Sequence, residues 1–362
     1  MRRRLMIIAL SALLFLPGCA KGSALTTEAS NSVQSQPSET DEISVNLPVD
    51  NFDWSTLPSH YHEPENFVIQ SAFSGGEWEM ISCQWLEMYA VIAVFRSPTE
   101  TCIVLYEAGA DTEGTERILH RLPMDAPIGP IQARDSKIHI GHIILDAGDY
   151  HILQESAQEG IVEREGSFYS FAYGVSYLIQ GENLLFLNGQ EAIVDTAPVG
   201  GLIEPIGWSS DGSVFAYWKV TAEGQRQELC AAGAKGTLFL TAPLSDPDSE
   251  AYWSDDNFSI LVRTAERYTL YSAITGEMMN SASQLPHMNN ASIAGLYGPQ
   301  IILSASEPDG RLSLQSWDMS WIEAKPLRND LHGLTGICMT HPGSLFVHDG
   351  AAAYLRVERI CY

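Results

Sequence analysis

The stretch GWSSDGSVFAYW runs from Gly207 to Trp218, and WSDDNFSILV begins at Trp253, about 45 residues after Trp208. Both segments place a tryptophan, a short polar turn and an apolar run in the same order. Asp211-Gly212 is typical of a tight turn, because glycine accepts a positive φ and aspartate hydrogen-bonds to its own nearby backbone. The repetition predicts two copies of one hairpin, with Trp208 as a packing residue between repeats.

Short β-rich runs fill the rest of the chain from about residue 65. Examples are Tyr89–Phe95, Thr101–Tyr106 and Ser259–Arg263. Each has four to eight residues and is bounded by Gly, Asp, Asn, Ser or Pro, which is typical of strands separated by turns. No long segment with a helical period follows the N-terminal region, so the sequence predicts an all-β protein.

The repeat has a regular period. One apolar residue is expected to end the first strand of each unit, and these residues recur about every 43 positions: Cys83, Ile131, Phe171, Trp208, Trp253, Ile293 and Met339. Four-stranded propeller blades have a period of about 40–45 residues. The sequence therefore predicts a seven-bladed β-propeller of four-stranded antiparallel blades.

The two ends of the repeat region complement each other. The last unit offers only three strands, at Leu334–Met339, Ser344–His348 and Ala352–Ile360. An unassigned strand, Asn66–Phe73, precedes the first unit. We expect it to serve as the fourth strand of the last blade, which would leave no free seam in the ring. The clearest complete unit is predicted at Ile203–Trp208, Ser213–Val220, Arg226–Ala231 and Thr237–Ala242.

The segment from Trp208 to Trp218 is similar to the strand-turn-strand of TolB-like and WD-repeat β-propellers. As architecture, this resemblance covers residues 65–362. It implies a propeller fold, whose loops and central channel are the places where such folds form binding sites.

The N-terminus has the pattern of an export signal. Arg2–Arg4 precede an apolar run, Leu5–Phe15, that is too short to span a bilayer as a helix. Leu16-Pro17-Gly18-Cys19 resembles the lipobox of bacterial lipoproteins. The resemblance implies a signal peptide over residues 1–18, cleavage before Cys19, and diacylglyceryl and palmitate groups on Cys19 that anchor the chain to the extracytoplasmic face of the cell membrane. An ordinary signal peptide with a chance cysteine is the alternative.

Residues 19–58 are rich in Ser, Thr, Glu, Asn and Gln and poor in large apolar side chains. Such a segment buries too little apolar surface to offset the entropy of ordering, so we expect a disordered tether. The propeller is then expected over residues 59–362. The chain carries 45 acidic and 20 basic residues, a formal net charge of −25. This charge disfavours nucleic acid and anionic lipid headgroups as partners, because both would be repelled.

Five cysteines remain when Cys19 is set aside, so they cannot all pair internally. Cys83 and Cys102 are predicted on the first and third strands of one blade, and Cys338 and Cys361 repeat that relation in the last. Strands two places apart are separated by about 9–10 Å, beyond the reach of a disulfide. Neither pair is therefore expected to bond. Free buried thiols, Cys230 among them, and a bridge between Cys83 and Cys338 on adjacent inner strands both stay open.

Motifs for catalysis, cofactors and metals are weak. His60 and His62 would share a strand face, whereas His139 and His142 would point to opposite faces unless Gly141 bulges. The run Asp255-Asp256-Asn257 has calcium-ligand chemistry, but it occupies the turn that Ser210-Asp211-Gly212 fills in the neighbouring unit. Gly207–Asp211 lacks the final glycine of a GxSxG motif, and neither HExxH nor a phosphate-binding loop is present. The sequence thus nominates no catalytic, cofactor-binding or metal-binding residue, and Cys19 is the one modified residue it predicts.

These observations favour a membrane-anchored propeller that acts as a binding platform for an envelope or extracellular protein or ligand. One alternative is an extracytoplasmic hydrolase or lyase with its site at the channel mouth. Another is a structural spacer in an envelope assembly. Converging carboxylates or histidines at the channel would favour the enzyme, and an aromatic or apolar patch would favour the platform.

Overall fold

The computed structural model describes residues 64–109, 112–154, 166–189, 192–234, 242–243, 246, 248–283, 291–320, 323–341 and 344–357. Signal peptide and tether, residues 1–58, lie outside this set, so those predictions are not addressed by the structure. In the residues described, no helix has the length and apolarity needed to cross a membrane.

The described chain forms 28 strands in seven four-stranded antiparallel sheets, which are the blades of a propeller. The first strand in sequence is β1 (Glu65–Gln70). Blade 1 comprises β2 (Glu79–Glu87), β3 (Ala90–Arg96), β4 (Glu100–Gly109) and β5 (Thr112–Pro123). Blade 2 comprises β6 (Ile131–Arg134), β7 (Lys137–Ile140), β8 (Ile143–Asp146) and β9 (Ile152–Gln154). Blade 3 comprises β10 (Ser167–Ser170), β11 (Val175–Gln180), β12 (Asn183–Leu187) and β13 (Ile193–Pro198).

The remaining blades continue in the same order. Blade 4 comprises β14 (Leu202–Trp208), β15 (Val214–Val220), β16 (Arg226–Gly233) and β17 (Ala242–Pro243). Blade 5 comprises β18 (Glu250–Trp253), β19 (Ser259–Arg263), β20 (Arg267–Ser272) and β21 (Met278–Ser283). Blade 6 comprises β22 (Ser292–Tyr297), β23 (Gln300–Ser306), β24 (Leu312–Asp318) and β25 (Lys325–Leu331), and blade 7 contains β26 (Gly336–His341), β27 (Ser344–His348) and β28 (Ala352–Val357).

Strand β1 completes blade 7, as the sequence predicted. It pairs antiparallel with β28, with Phe67 opposite Leu355 and Ile69 opposite Ala353, in the sheet order β1-β28-β27-β26. The first strand of the propeller is therefore hydrogen-bonded to the last, and the ring is closed by pairing within one sheet.

Middle strands are buried on both faces because each blade packs between two others. All five residues of β27 are buried, as are the first six of β3. Outer strands such as β13 and β21 are mostly exposed. Six hydrophobic clusters are described, and each joins two neighbouring blades.

None of these six clusters joins blades 2 and 3, and the contacts described at that junction are of other kinds. The Arg134 guanidinium lies 3.6 Å from the centroid of the Tyr173 ring, and Ala172 N donates to Gln132 Oε1 over 2.7 Å. Blade 2 also has the shortest strands of blades 1 to 3, with three or four residues each. This junction is held by cation–π and polar contacts, beside the cavity described below.

Some of the expected repeat positions shift in the structure. Cys83 lies in the middle of β2 rather than at its end, because two register shifts lengthen that strand to nine residues. Ile131 begins its strand instead of ending it, since the strands of blade 2 are so short. The predicted fourth strand Thr237–Ala242 lies outside the described residues apart from Ala242, which belongs to β17.

Candidate functional site

A cavity of about 440 Å³ opens on the inner strands of four consecutive blades, 1 to 4. Four inner strands meet only around the axis of a propeller, so the cavity belongs to the central channel. Among the described residues that line it there is no Asp, Glu, Lys, Arg or His. Aromatic and amide side chains dominate it, namely Phe168, Tyr169, Phe171, Trp208, Gln84 and Gln132.

Three of the four aromatic rings of the wall, Phe168, Tyr169 and Phe171, come from β10 and the turn that follows it, and Trp208 comes from β14. The rings of Tyr169 and Phe171 meet edge to face, with centroids 5.1 Å apart. His142 packs edge-on against Phe171 at 5.2 Å and stacks on Tyr169 at 6.3 Å. Such rings offer flat apolar faces to an occupant of the cavity.

The two histidines of blade 2 diverge, and a turn rather than a bulge separates them. Gly141 has a φ of 62° between β7 and β8 and directs His142 onto the aromatic rings. His139 stays in β7, where burial lowers its pKa, with further lowering by Lys137 and Arg134. The pair therefore has no shared face for a metal.

The polar groups of the wall differ in how they are held. Gln132 is 1% exposed, and its Oε1 is the acceptor for Ala172 N at 2.7 Å. Ser82 Oγ, in the part of the wall that β2 supplies, has no hydrogen-bond partner among the described residues. A buried hydroxyl without a partner costs free energy.

Three tryptophans fix the inner strands that form the wall. Trp208 Nε1 donates to Phe168 O over 2.9 Å, and Trp253 Nε1 donates to Gly207 O over 3.1 Å. Trp85 Nε1 makes the equivalent bond to Cys338 O over 3.0 Å. Each indole thus joins its own inner strand to that of the preceding blade. The predicted packing role of Trp208 between blades is confirmed.

The polar turns after Trp208 and Trp253 have the same hydrogen bonds. Asp211 Oδ1 accepts from Ser213 N over 3.0 Å and from Ser213 Oγ over 2.7 Å. Asp256 Oδ1 accepts from Ser259 N over 3.0 Å in the next blade. These carboxylates are used by the turns themselves, which supports the turn interpretation of Asp255-Asp256-Asn257 over a calcium site.

The two turns also bond to each other. Asn257 has a φ of 64° and takes the conformation that Gly212 adopts at 71°. Its Oδ1 accepts from Ser210 Oγ over 2.6 Å and from Asp211 N over 2.9 Å. On the other side, Ser170 Oγ donates to Gly212 O over 2.7 Å. The inner turns therefore form a chain of hydrogen bonds that links blades 3, 4 and 5.

Asp255 extends this series of hydrogen bonds to blade 7. Its Oδ2 accepts from Met339 N over 2.7 Å, which links blade 5 to the inner strand of blade 7. Desolvation raises the pKa of Asp255 to about 7; the hydrogen bond from Met339 opposes this and the charge of Asp256 adds to it. Asp255 is thus a carboxyl group that titrates near neutrality at a contact between blades.

A hydroxyl–imidazole contact at the ring closure resembles part of a hydrolase triad. Ser71 Oγ lies 3.0 Å from His348 Nε2, and it donates to Glu116 Oε2 over 2.7 Å. His348 Nδ1 lies 2.6 Å from Thr335 Oγ1, and Gly350 N donates to the same nitrogen over 3.3 Å. Because the buried Ser71 hydroxyl directs its proton to Glu116 rather than to the imidazole, the network holds the closure together instead of activating a nucleophile. No spacing in the sequence predicts this network, because Ser71 and His348 lie near opposite ends of the chain.

A second cluster missed by the sequence analysis is Asp146, Asp149 and His151 in blade 2, which together have metal-ligand chemistry. All three belong to one surface loop. Asp146 Oδ1 accepts from Gly148 N over 2.7 Å, and Asp149 pairs with the His151 ring. This hydrogen bond raises the pKa of His151 and lowers that of Asp149. Both side chains are exposed, and the turn accounts for their contacts.

The four described cysteines, Cys83, Cys102, Cys230 and Cys338, are free thiols. Cys83 and Cys102 lie on the first and third strands of blade 1, as predicted. Cys19, His60, His62 and Cys361 lie outside the described residues.

No protein-family model matches this chain, and no curated protein matches it. Among solved structures it is similar to Kluyveromyces lactis Hsv2 with its complete loop 6CD, at 11% identity and a TM-score of 0.43, over 75% of this chain and 90% of that one. A structure of KlHsv2 with loop 6CD replaced by a Gly-Ser linker gives 10% identity and a TM-score of 0.44, over 75% and 89% of the two chains. The assignment of this chain as a seven-bladed β-propeller rests on its own sheet topology.

Proposed function

We propose that this chain is a cell-envelope lipoprotein whose propeller is a binding platform, and that the cavity of blades 1 to 4 is its binding site. The observation that carries the proposal is the composition of the cavity wall, in which aromatic rings and amides occur without a charged side chain. Ligand sites typically combine apolar surface with a few polar groups that orient the ligand.

The wall favours an uncharged ligand. A charged group would lose its hydration in the cavity without an opposite charge to compensate for it. Stacking on Tyr169 and Phe171 suits a flat or apolar face, and the amide of Gln84 supplies both a donor and an acceptor. The lipobox at Cys19 supports a location on the extracytoplasmic face of the membrane, where the ligand would be an envelope or extracellular molecule.

A hydrolase or lyase needs a general acid or base within reach of its substrate. Among the described residues that line the cavity there is no carboxylate or imidazole, and the Ser71 hydroxyl donates to Glu116 rather than to His348. The binding platform is therefore the better supported of these functions.

Co-purification from gently solubilised cell envelopes tests the proposal. The native full-length chain is compared with Tyr169→Ala, which removes a ring from the wall, and Gln84→Leu, which removes the amide at similar volume. Phe258→Ala is the matched control, because that aromatic side chain is 57% exposed on the turn between β18 and β19. Both cavity variants are expected to lose the bound partner or ligand at least tenfold, and the control is expected to retain it.

The fluorescence of Trp208, in the cavity wall, gives a second measurement with the purified chain. A ligand that enters the cavity is expected to change this signal in native protein but not in Trp208→Phe. The proposal fails if cavity variants bind as native protein does, if only Phe258→Ala loses the partner, or if the purified chain turns over a substrate.

A further inference from the structure

The inner strands of the first and last blades approach each other closely at Cys83 and Cys338. Cys338 is buried in the hydrophobic cluster that joins blade 1 to blade 7, and Cys83 packs against the same cluster. We propose that Cys83 and Cys338 form a disulfide that covalently closes the propeller ring. This site would add a second closure to the one made by strand β1.

Contacts on both sides of the pair hold the two strands in place. Gly336, two residues before Cys338, has no room for a side chain, since a Cβ there would overlap the sulfur of Met80. Trp85, two residues after Cys83, donates to Cys338 O over 3.0 Å. Strands β2 and β26 therefore lie side by side here, with Cys83 between Met80 and Trp85 on β2 and Cys338 on the adjacent part of β26.

Cys102 is buried in the same hydrophobic cluster but on the third strand of blade 1, and Cys230 lies in blade 4. Cys102 lies on β4 near Glu100 and Arg121, and Cys230 on β16 shares a hydrogen bond with Tyr217. Neither has a thiol partner among the described residues, so the chain offers two internal controls for the Cys83–Cys338 pair.

The pair is reachable from solvent on one side. Cys83 is partly exposed and lines the channel cavity, whereas Cys338 is 6% exposed. A small disulfide such as oxidised glutathione can therefore react first at Cys83. Burial raises the pKa of Cys338 well above its usual range, and its contact with Cys83 raises it further. Because the thiolate is the attacking species, closure of the bond is expected to accelerate as the pH rises.

The reaction has two exchange steps. The Cys83 thiolate attacks one sulfur of oxidised glutathione, which forms a mixed disulfide and releases one glutathione thiolate. The Cys338 thiolate then attacks the Cys83 sulfur, forming the protein disulfide and releasing the second glutathione. Two protons and two electrons leave the protein, and the disulfide of glutathione is reduced to two thiols.

Peptide mass spectrometry of the full-length chain, purified in mild detergent, tests the proposal. The folded protein is incubated with oxidised glutathione at pH 8, free thiols are blocked with N-ethylmaleimide, and the digest is analysed without reduction. A linked Cys83–Cys338 peptide pair is expected, and it is expected to disappear after reduction. Cys83→Ser and Cys338→Ser should abolish the link, and Cys102→Ala should retain it.

Thermal unfolding provides an independent measurement. A disulfide that closes so long a loop is expected to raise the Tm of the oxidised native protein by roughly 5–10 °C over the reduced protein. Cys83→Ser is expected to show no such difference, and Cys102→Ala is expected to keep it. The proposal is overturned if native protein yields only alkylated Cys83 and Cys338 peptides, if either cysteine links instead to a different one, or if oxidation leaves the Tm unchanged.

Discussion

Asp255 is a residue whose charge the fold disfavours. Its pKa is raised from 3.8 to about 7, so between these values the folded state binds a proton that the unfolded state has released. Stability from this group is therefore fully present at low pH and is lost as the pH rises toward about 7. Its hydrogen bond to Met339 N needs only an acceptor oxygen, which an amide also provides.

At pH 8, the free energy of unfolding of Asp255→Asn is expected to exceed that of native protein by up to about 2–4 kcal/mol, so the variant unfolds at a higher denaturant concentration. Near pH 4.5 the expected gain in this free energy is smaller. Urea unfolding at the two pH values measures this difference. Asp309→Asn is the control, because Asp309 is an exposed turn residue that accepts from Arg311 N. Identical pH profiles for Asp255→Asn and native protein would contradict the assignment.

Two features of Gly212 disfavour a larger residue there: its positive φ and the lack of space for a Cβ. Its φ is 71°, and a Cβ there would lie 2.6 Å from Gln132 Nε2 and would also overlap Ser170 Oγ. Gly310 has a φ of 85° but open space around it. Gly310→Ala is expected to cost about 1 kcal/mol for the backbone conformation alone, and Gly212→Ala about 2–4 kcal/mol because the crowding is added. Equal losses in denaturant unfolding would show that the turn does not pack against blades 2 and 3 as described.

At the scale of elements, burial decided which strands the sequence could predict. Middle strands are continuous apolar runs, and Ser344–His348 and Ser259–Arg263 were predicted with the bounds that the structure shows. Outer strands such as β13 and β21 are exposed and carry no comparable pattern. The central channel was expected to hold a binding site, but the residues that line this cavity were not predicted. Its Gln84, Gln132 and Tyr169 come from three separate blades, and no spacing in the sequence relates them.

Strand β1 buries an apolar side chain that the outer strand β13 leaves exposed, and a matched pair of variants tests this difference. Ile69 on β1 is 4% exposed against blade 1, whereas Ile193 on β13 is 54% exposed. Ile69→Ala is expected to cost about 2–4 kcal/mol of unfolding free energy, and Ile193→Ala less than about 0.5 kcal/mol. Denaturant unfolding of both variants measures this. A small effect at Ile69 would mean that β1 does not close the ring.

At the scale of the whole molecule, the sequence predicted the ring and its closure, because the period and the missing strand follow from chain order alone.

The sequence also predicts a lipid anchor at Cys19, which lies outside the described residues. Cys19→Ala is expected to release most of the protein from the membrane fraction, or to leave the signal peptide uncleaved. Fractionation of cells followed by immunoblotting measures this, with Cys102→Ala as the control. Unchanged membrane attachment of Cys19→Ala would contradict the lipoprotein assignment.

The pairing of β1 with β28 also has a consequence for the order of folding. β1 is the first strand of the propeller to be synthesised, and its partner is the last. Closing a contact between the two ends of a chain has the largest loop entropy, and folding that depends on such contacts is slow. Six blades have their strands in unbroken sequence and are able to form locally, but the seventh must wait for the complete chain. A truncated translation product would therefore keep an unpaired β1, an exposed edge that is prone to aggregation.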